Sequence, residues 1–198
     1  MSENSCNHWK LFRLGNKPAF EQLMFDNFKH LFNYGSKFTT DSELVKDVIQ
    51  ELFLKLWEKR SNLSNDVNPR AYLTASFRRA LHRKIQSQNR FTPYSEINEI
   101  EALFDMEVSV EEQLIEKEKN RNLAFKIAAN LSGLPARQRE VIFLKFFQYL
   151  SRDEISEAMQ ITPQTVSNLQ QLALKKLRVV LKSRILVCFL GFYTKPRD

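Results

Sequence analysis

Residues 151–178 read SRDEISEAMQITPQTVSNLQQLALKKLR, which spells two helices joined by a tight turn. Ser151 and Glu154 have the spacing of a capping box, in which the hydroxyl caps the helix and the carboxylate reaches back. Ile155 and Met159 give the short first helix an apolar stripe. Thr162 and Pro163 then start a second helix, with Thr as N-cap and Pro at the first helical position. Val166, Leu169, Leu172 (with Ala173) and Leu177 recur at three- and four-residue spacing and predict its buried face. Gln164, Thr165, Ser167, Asn168 and Gln171 lie opposite. Such polar, mostly uncharged side chains donate and accept hydrogen bonds at base edges in a major groove. A short helix, a turn and a polar-faced second helix make a helix-turn-helix. The competing interpretation is an ordinary helical hairpin with a solvated face.

Working outward, the 198 residues fit one domain or two small ones, and four Gly and six Pro favour an all-helical chain. Sixteen Phe supply much of the core. The net charge of +7 is unevenly spread. Residues 1–90 carry 15 Lys/Arg against 9 Asp/Glu, residues 91–120 carry 2 against 9, and residues 121–198 carry 13 against 5. Two basic blocks therefore flank an acidic segment, and basic blocks suit a polyanion such as nucleic acid. Charge kept for solubility is the plainer explanation. Cys6 and Cys188 stand far apart with no metal-ligand spacing, so neither a disulfide framework nor a metal site is indicated. No signal-peptide core is present, and Ile185–Phe192 is too short to span a bilayer. The expectation is a soluble, cytoplasmic protein without membrane insertion.

In the first block, residues 1–17 read as a loose lead-in. From Pro18 a helix is expected to about Phe38, with Phe20, Leu23, Met24, Phe28, Leu31 and Phe32 as core. Asp41 or Ser42 caps a second helix to about Arg60, with Leu44, Val45, Val48, Leu52, Phe53 and Leu56 inside. Asp47, Gln50, Glu51, Leu54 and Glu58 share another face of that helix. A leucine amid carboxylates suggests a docking surface with an apolar centre and a charged rim. Residues 61–68, SNLSNDVN, form a polar loop holding Ser61, Asn62 and Asn65. Asn68 caps and Pro69 opens a third helix to about Lys84, carrying Arg70, Tyr72, Phe77, Arg78, Arg79, His82, Arg83 and Lys84. Cations interleaved with aromatic rings suit single-stranded nucleic acid, holding phosphates and receiving unstacked bases. At least one of Tyr72, Leu73 and Phe77 belongs to the core. His82 is assigned to the basic surface.

Residues 89–110 form an acidic linker, with Glu96, Glu99, Glu101, Asp105 and Glu107 following Thr92 and Pro93. Ser109 and Glu112 form another capping box, and a helix is expected from there to about Leu131. Pro135 opens the next helix, which ends in a turn near Gln148, and the hairpin completes a four-helix unit over residues 111–180. Residues 181–198 form an apolar C-terminal tail.

These pieces together resemble a bacterial sigma factor of the compact extracytoplasmic-function (ECF) group of the sigma-70 family. DVIQELFLKLWEKR, residues 47–60, looks like the polymerase-binding helix of conserved region 2: Asp47, Gln50, Glu51 and Phe53 meet its pattern. LPARQREVIFLKFFQYLSRDEISEAMQITPQTVSNLQQLALKKLR, residues 134–178, looks like region 4. With PRAYLTASFRRALHRKI, residues 69–85, the resemblance covers most of residues 18–180. It implies region 2 over 18–88 and region 4 over 111–180, two small helical domains in an all-α fold joined by the acidic linker.

The resemblance also implies the job, binding core RNA polymerase and directing it to promoters. Asp47, Gln50, Glu51, Leu54 and Glu58 would dock on the β′ coiled coil, while region 4 would meet the β flap. Ser61, Asn62, Asn65, Arg70, Tyr72, Phe77, Arg78, Arg79, Arg83 and Lys84 would open the −10 element and hold a flipped base. Arg152, Thr162, Gln164, Thr165, Ser167, Asn168, Gln171 and Lys175 would contact the −35 element or a DNA-bound helper protein. Neither a catalytic residue nor a cofactor is implied. Many relatives are held inactive by an anti-sigma factor, a partner the resemblance admits here.

Two departures stand out. Arg79 replaces the Asn common in relatives. After Thr165-Val166 no cation appears until Lys175, where relatives place Lys or Arg early in the helix. Because phosphate contacts dominate affinity for duplex DNA, this loss predicts −35 binding weaker by on the order of tenfold or more. One expectation is that region 4 is helped by another DNA-bound protein, docking on the neutral helix face or on residues 179–193; the alternative is that Arg152, Lys175, Lys176 and Arg178 supply enough phosphate contact. The alternative function is a stand-alone helix-turn-helix regulator, which predicts a dimer and palindromic sites. An enzyme acting on nucleic acid is disfavoured, since paired carboxylates near His, P-loop glycines and zinc spacings are all missing.

Overall fold

The computed structural model describes residues 3–65, 67–88, 104, 131 and 133–180. Among them are seven α-helices and no strand: α1 (Glu3–Arg13), α2 (Lys17–Gly35), α3 (Ser42–Glu58), α4 (Pro69–Gln88), α5 (Ala136–Ile142), α6 (Arg152–Met159) and α7 (Pro163–Val180). The expected all-α class is what the chain adopts. Two compact units divide it, the first comprising Met1–Ile100 and Ser156–Gln160 and the second Glu101–Ile155 and Ile161–Asp198. The acidic linker apart from Phe104, the Ser109/Glu112 capping box, the helix expected before Leu131 and the apolar tail lie outside the described residues.

The first unit packs α1 to α4. Its helix starts follow from local side-chain chemistry. Asn16 Oδ1 accepts from the Ala19 amide at 2.9 Å and Pro18 occupies the first turn of α2. Asp41 Oδ1 accepts from the Leu44 amide at 2.9 Å and starts α3. Asn68 Oδ1 accepts from the amides of Arg70 (3.0 Å) and Ala71 (3.2 Å) at the head of α4. Each satisfies donors that a helix N-terminus leaves open.

The inner face of α3 is as its periodicity predicts: Leu44, Val45, Val48, Leu52, Phe53 and Leu56 are all buried. Full burial of such side chains contributes about 1.5–3 kcal/mol each. Two sequence expectations change here. The first residues are not a loose lead-in, because α1 folds and buries Trp9 and Phe12. Gly15, at φ +88, turns the chain out of α1, its amide bonding to the Phe12 carbonyl at 2.8 Å. Along α2, Leu23 and Leu31 are core, but Met24 and Phe28 are exposed, as is Phe25. The buried line of α2 runs instead through Ala19, Leu23, Asn27, Leu31 and Tyr34. Apolar residues surround this helix on more than one side, so spacing alone selected too wide a stripe.

An aromatic chain joins the helices. Trp9 meets Phe12 at 5.6 Å between ring centroids, Phe12 meets Phe20 at 5.5 Å, and Phe20 meets Trp57 at 5.0 Å and Phe53 at 6.0 Å. Edge-to-face and tilted pairs of this kind add to plain area burial.

In the second unit, α5 passes into a π-helical turn over Phe143–Phe147, closed by the Gln148 amide on the Phe143 carbonyl at 3.1 Å. Phe143 and Phe147 stack at 5.5 Å, and Phe104 meets Phe143 edge-on at 5.8 Å. Helix α5 packs against α7. Val141, Ile142, Leu144, Ile155, Val166, Ala173 and Leu177 are buried in its core.

Candidate nucleic-acid and protein-docking surfaces

On α3, burial of one face forces the other outward. Asp47, Gln50, Glu51, Leu54 and Glu58 are all exposed, and Leu54 keeps 58% of its surface accessible. Lys55 Nζ donates to Glu51 Oε1 at 2.5 Å across one turn. That hydrogen bond, then the Lys55 charge, then the more distant charges of Lys84 and Arg83, hold the Glu51 carboxyl below the usual glutamate range. The face presents an apolar side chain ringed by carboxylates and an amide, suited to a basic, partly apolar partner.

Helix α4 packs against α1, α2 and α3, so most of its circumference is covered. This corrects part of the expected strand-opening set. Phe77 is wholly buried, its ring 6.3 Å from that of Tyr34, and has no surface to offer a base. Leu73 is core too. Arg78 keeps only 5% exposure, and His82 is buried edge-on against Phe38 at 5.1 Å, so His82 does not belong to the basic surface. Arg79, Arg83 and Lys84 do face outward. Arg79 Nη2 donates to Ser76 Oγ at 3.0 Å and Arg83 Nε to the Arg79 carbonyl at 3.3 Å, which arrays both guanidinium groups along one side of α4. Arg70 is half-buried, its Nη2 3.1 Å from Nδ1 of His30. Tyr72 is half-buried as well, with one edge against Trp9.

Ser61, Asn62 and Asn65 are exposed on the segment joining α3 to α4. Its first residues, Arg60–Asn62, form a 3-10 turn. The Arg60 guanidinium lies 4.5 Å from the Trp57 ring centroid and Arg60 Nη1 bonds the Trp57 carbonyl at 2.8 Å, fixing where the segment leaves α3. Farther along, Trp9 Nε1 donates to the Ser64 carbonyl at 3.0 Å. Sequence reasoning missed Trp9. The available signal was Trp9 and Phe12 three residues apart, too short a pattern to stand out.

The second unit delivers the helix-turn-helix. Glu154 Oε2 accepts from the Ser151 amide at 2.5 Å while Ser151 Oγ accepts from the Glu154 amide at 3.3 Å, which is the predicted capping box. Thr162 Oγ1 accepts from the Thr165 amide at 3.2 Å and starts α7 with Pro163 first in the helix. The buried side of α7 is Val166, Ala173 and Leu177, with Leu169 half-buried. Leu172 is a correction, being 51% exposed. Six residues at 100° each put it about 120° round the helix from Val166.

The outer face of α7 exposes Gln164, Asn168, Gln171 and Lys175. Gln164 Nε2 donates to Asn168 Oδ1 at 3.1 Å, so two amides are held side by side. Thr165 and Ser167 are half-buried, and their hydroxyls bond Thr162 Oγ1 (2.8 Å) and the Pro163 carbonyl (3.2 Å). Arg152 and Thr162 are exposed, with Arg152 Nε 3.3 Å from Asp153 Oδ1. No group of three or more metal-ligating side chains occurs among the described residues, and no described helix is long and apolar enough to cross a membrane.

Comparison with known proteins identifies the family of the chain. A family model described as Sigma-70 region 2 matches residues 25–91, and one described as Sigma-70, region 4 matches residues 125–177. Together they span more than half of the chain. A structure of CnrH in complex with the cytosolic domain of CnrY superposes with a TM-score of 0.60 at 20% identity, covering 91% of this chain and 99% of CnrH. The sigma factor RpoE in complex with the anti-sigma factor NepR from Bartonella quintana superposes with a TM-score of 0.57 at 16% identity, covering 83% of this chain and 97% of RpoE. No curated protein matches in sequence. The chain belongs to the sigma-70 family and carries its regions 2 and 4. Its function is that of a sigma factor, and the family binds core RNA polymerase and promoter DNA without itself being an enzyme.

Proposed function

We propose that α3 docks on the β′ coiled coil of core polymerase through Asp47, Gln50, Glu51, Leu54 and Glu58. The exposure of Leu54 in the middle of that acidic face is the observation that carries the assignment. An exposed leucine gains only when a partner covers it, and the surrounding carboxylates select a basic partner. The test is binding of fluorescently labelled protein to purified core polymerase. Asp47→Lys with Glu51→Lys is expected to weaken it at least tenfold, and unchanged binding would remove α3 from the interface.

Promoter opening falls to the segment after α3 and to the outer side of α4. Ser61, Asn62 and Asn65 offer hydrogen bonds to an unstacked base, and Tyr72 a partly open ring edge. Arg70, Arg79, Arg83 and Lys84 supply cations for the strand backbone. Phe77 and Arg78 support this surface from within.

Region 4 presents Gln164, Asn168, Gln171 and Lys175 to the −35 element, and an amide is well suited to adenine edges. Arg152 and Thr162 lie at the helix starts, where phosphates bind. The outer face of α7 carries no cation before Lys175, and Leu172 is exposed beside it. These two facts support a second component, a DNA-bound helper protein that covers Leu172 and supplies the missing affinity. Strong −35 protection in a footprint with polymerase and this protein alone would refute the helper. An anti-sigma partner comes by analogy with RpoE. The chain acts in the cytoplasm, where the polymerase is, and catalyses nothing itself.

A further inference from the structure

We infer that Trp9 is a positioning residue for promoter opening, because its indole N–H holds the Ser64 carbonyl and so sets the loop between α3 and α4. The inference rests on the proposed role of that loop and of Tyr72 in strand capture. Helix α1 lies outside residues 25–91, the span matched to region 2.

The geometry is specific. Trp9 is 99% buried, yet its one polar atom reaches across 55 positions of sequence to bond Ser64 at 3.0 Å. The same ring meets Tyr72 edge-on at 5.5 Å. One side chain therefore contacts both the loop that carries Asn62 and Asn65 and the ring that opens the exposed side of α4. Behind it, Phe12 ties Trp9 to Trp57 at 6.2 Å, and Trp57 carries the Arg60 guanidinium at the loop's start. The stretch from Arg60 to Ser64 is thus held at both ends, by Arg60 on Trp57 and by Ser64 on Trp9.

A loop that must receive an unstacked base loses affinity if it has to be ordered on binding. Anchoring Ser64 in advance removes part of that cost. An aliphatic residue at position 9 would fill the space without providing a donor. Phenylalanine keeps a buried aromatic ring but loses the bond together with part of the indole's volume, so the test must separate a local loop effect from general loss of packing.

The test uses the full-length chain as holoenzyme with core polymerase and compares wild type with Trp9→Phe. Three quantities are read: affinity for core, affinity for a single-stranded −10 oligonucleotide, and amide hydrogen exchange across residues 61–68. The expected result is unchanged core affinity, oligonucleotide capture weaker by roughly fivefold, the effect of one typical hydrogen bond, and faster exchange confined to the loop. Equal capture by both proteins overturns the inference while leaving the loop's role intact. Parallel loss of core binding and capture also overturns it, since Trp9 would then be a general packing residue. Absence of capture by the wild-type holoenzyme overturns the role of the loop and the inference with it.

Discussion

Gly35 lies so close beneath Phe77 that a Cβ added to it would meet the ring's Cζ at 2.7 Å. The same added atom would meet Cγ1 of Val45, also at 2.7 Å. The last residue of α2 therefore touches α3 and α4 at once. Phe77, which the sequence offers as a base-stacking aromatic, is the residue that closes this junction. Gly35→Ala is expected to destabilise the first unit by about 1–3 kcal/mol through overpacking. Thermal unfolding of the variant checks this, and an unchanged midpoint would show that the junction yields freely.

The turn of the helix-turn-helix holds a strain of the opposite kind. Gln160 adopts φ +55, a left-handed conformation that costs a side-chain-bearing residue roughly 1–2 kcal/mol. Glycine removes that cost but gains entropy in the unfolded chain, worth about 0.5–1 kcal/mol. Gln160→Gly is expected to stabilise the fold by about 0.5–1 kcal/mol in denaturant unfolding. A loss of stability would mean that the Gln160 side chain contributes more than the turn costs.

Glu51 gives a pH prediction. Its carboxyl is held low first by the Lys55 hydrogen bond and then by the Lys55, Lys84 and Arg83 charges. A carboxyl depressed on folding contributes stability that is present above its unfolded value and lost as pH falls through its folded value. At this exposed position the energy is small, so the titration itself is the readout. Carboxyl NMR is expected to show Glu51 titrating below the ordinary glutamate range, and Lys55→Met to return it most of the way. No movement in the variant would transfer the effect to Lys84 and Arg83.

Arg79, Arg83 and Lys84 face outward from α4. If each holds a phosphate of the displaced strand, the salt dependence of capture records it, since each single-strand contact contributes a slope of about −0.7. Changing all three to Gln is expected to reduce the slope of log affinity against log salt by about 2. An unaltered slope would place the strand elsewhere.

What the sequence made legible was chiefly local. Asp41, Asn68, Ser151 with Glu154, and Thr162 cap their helices as expected because a cap needs only a side chain and an amide two or three residues on. The inner and outer faces of α3 were legible because one side packs and the other does not. Helix α4 defeated the same logic. Three neighbours cover it, so Arg78 and His82 are buried although their types argue for solvent. Met24 and Phe28 failed in the other direction, since apolar type does not say which side of α2 meets a partner. Trp9 was hidden because its bond to Ser64 depends on how α1 packs, which no local pattern encodes.

The most direct measurement is abortive transcription with purified core polymerase on linear promoter DNA. Wild-type protein is compared with Asp47→Lys, Glu51→Lys. Promoter-dependent product with the wild type, at the reduced level expected without a helper at region 4, and less still or none with the variant at equal concentration, is the predicted result. Equal product from both would contradict docking through α3, and no product from either, with core binding absent, would contradict the account of this chain as an initiating sigma factor.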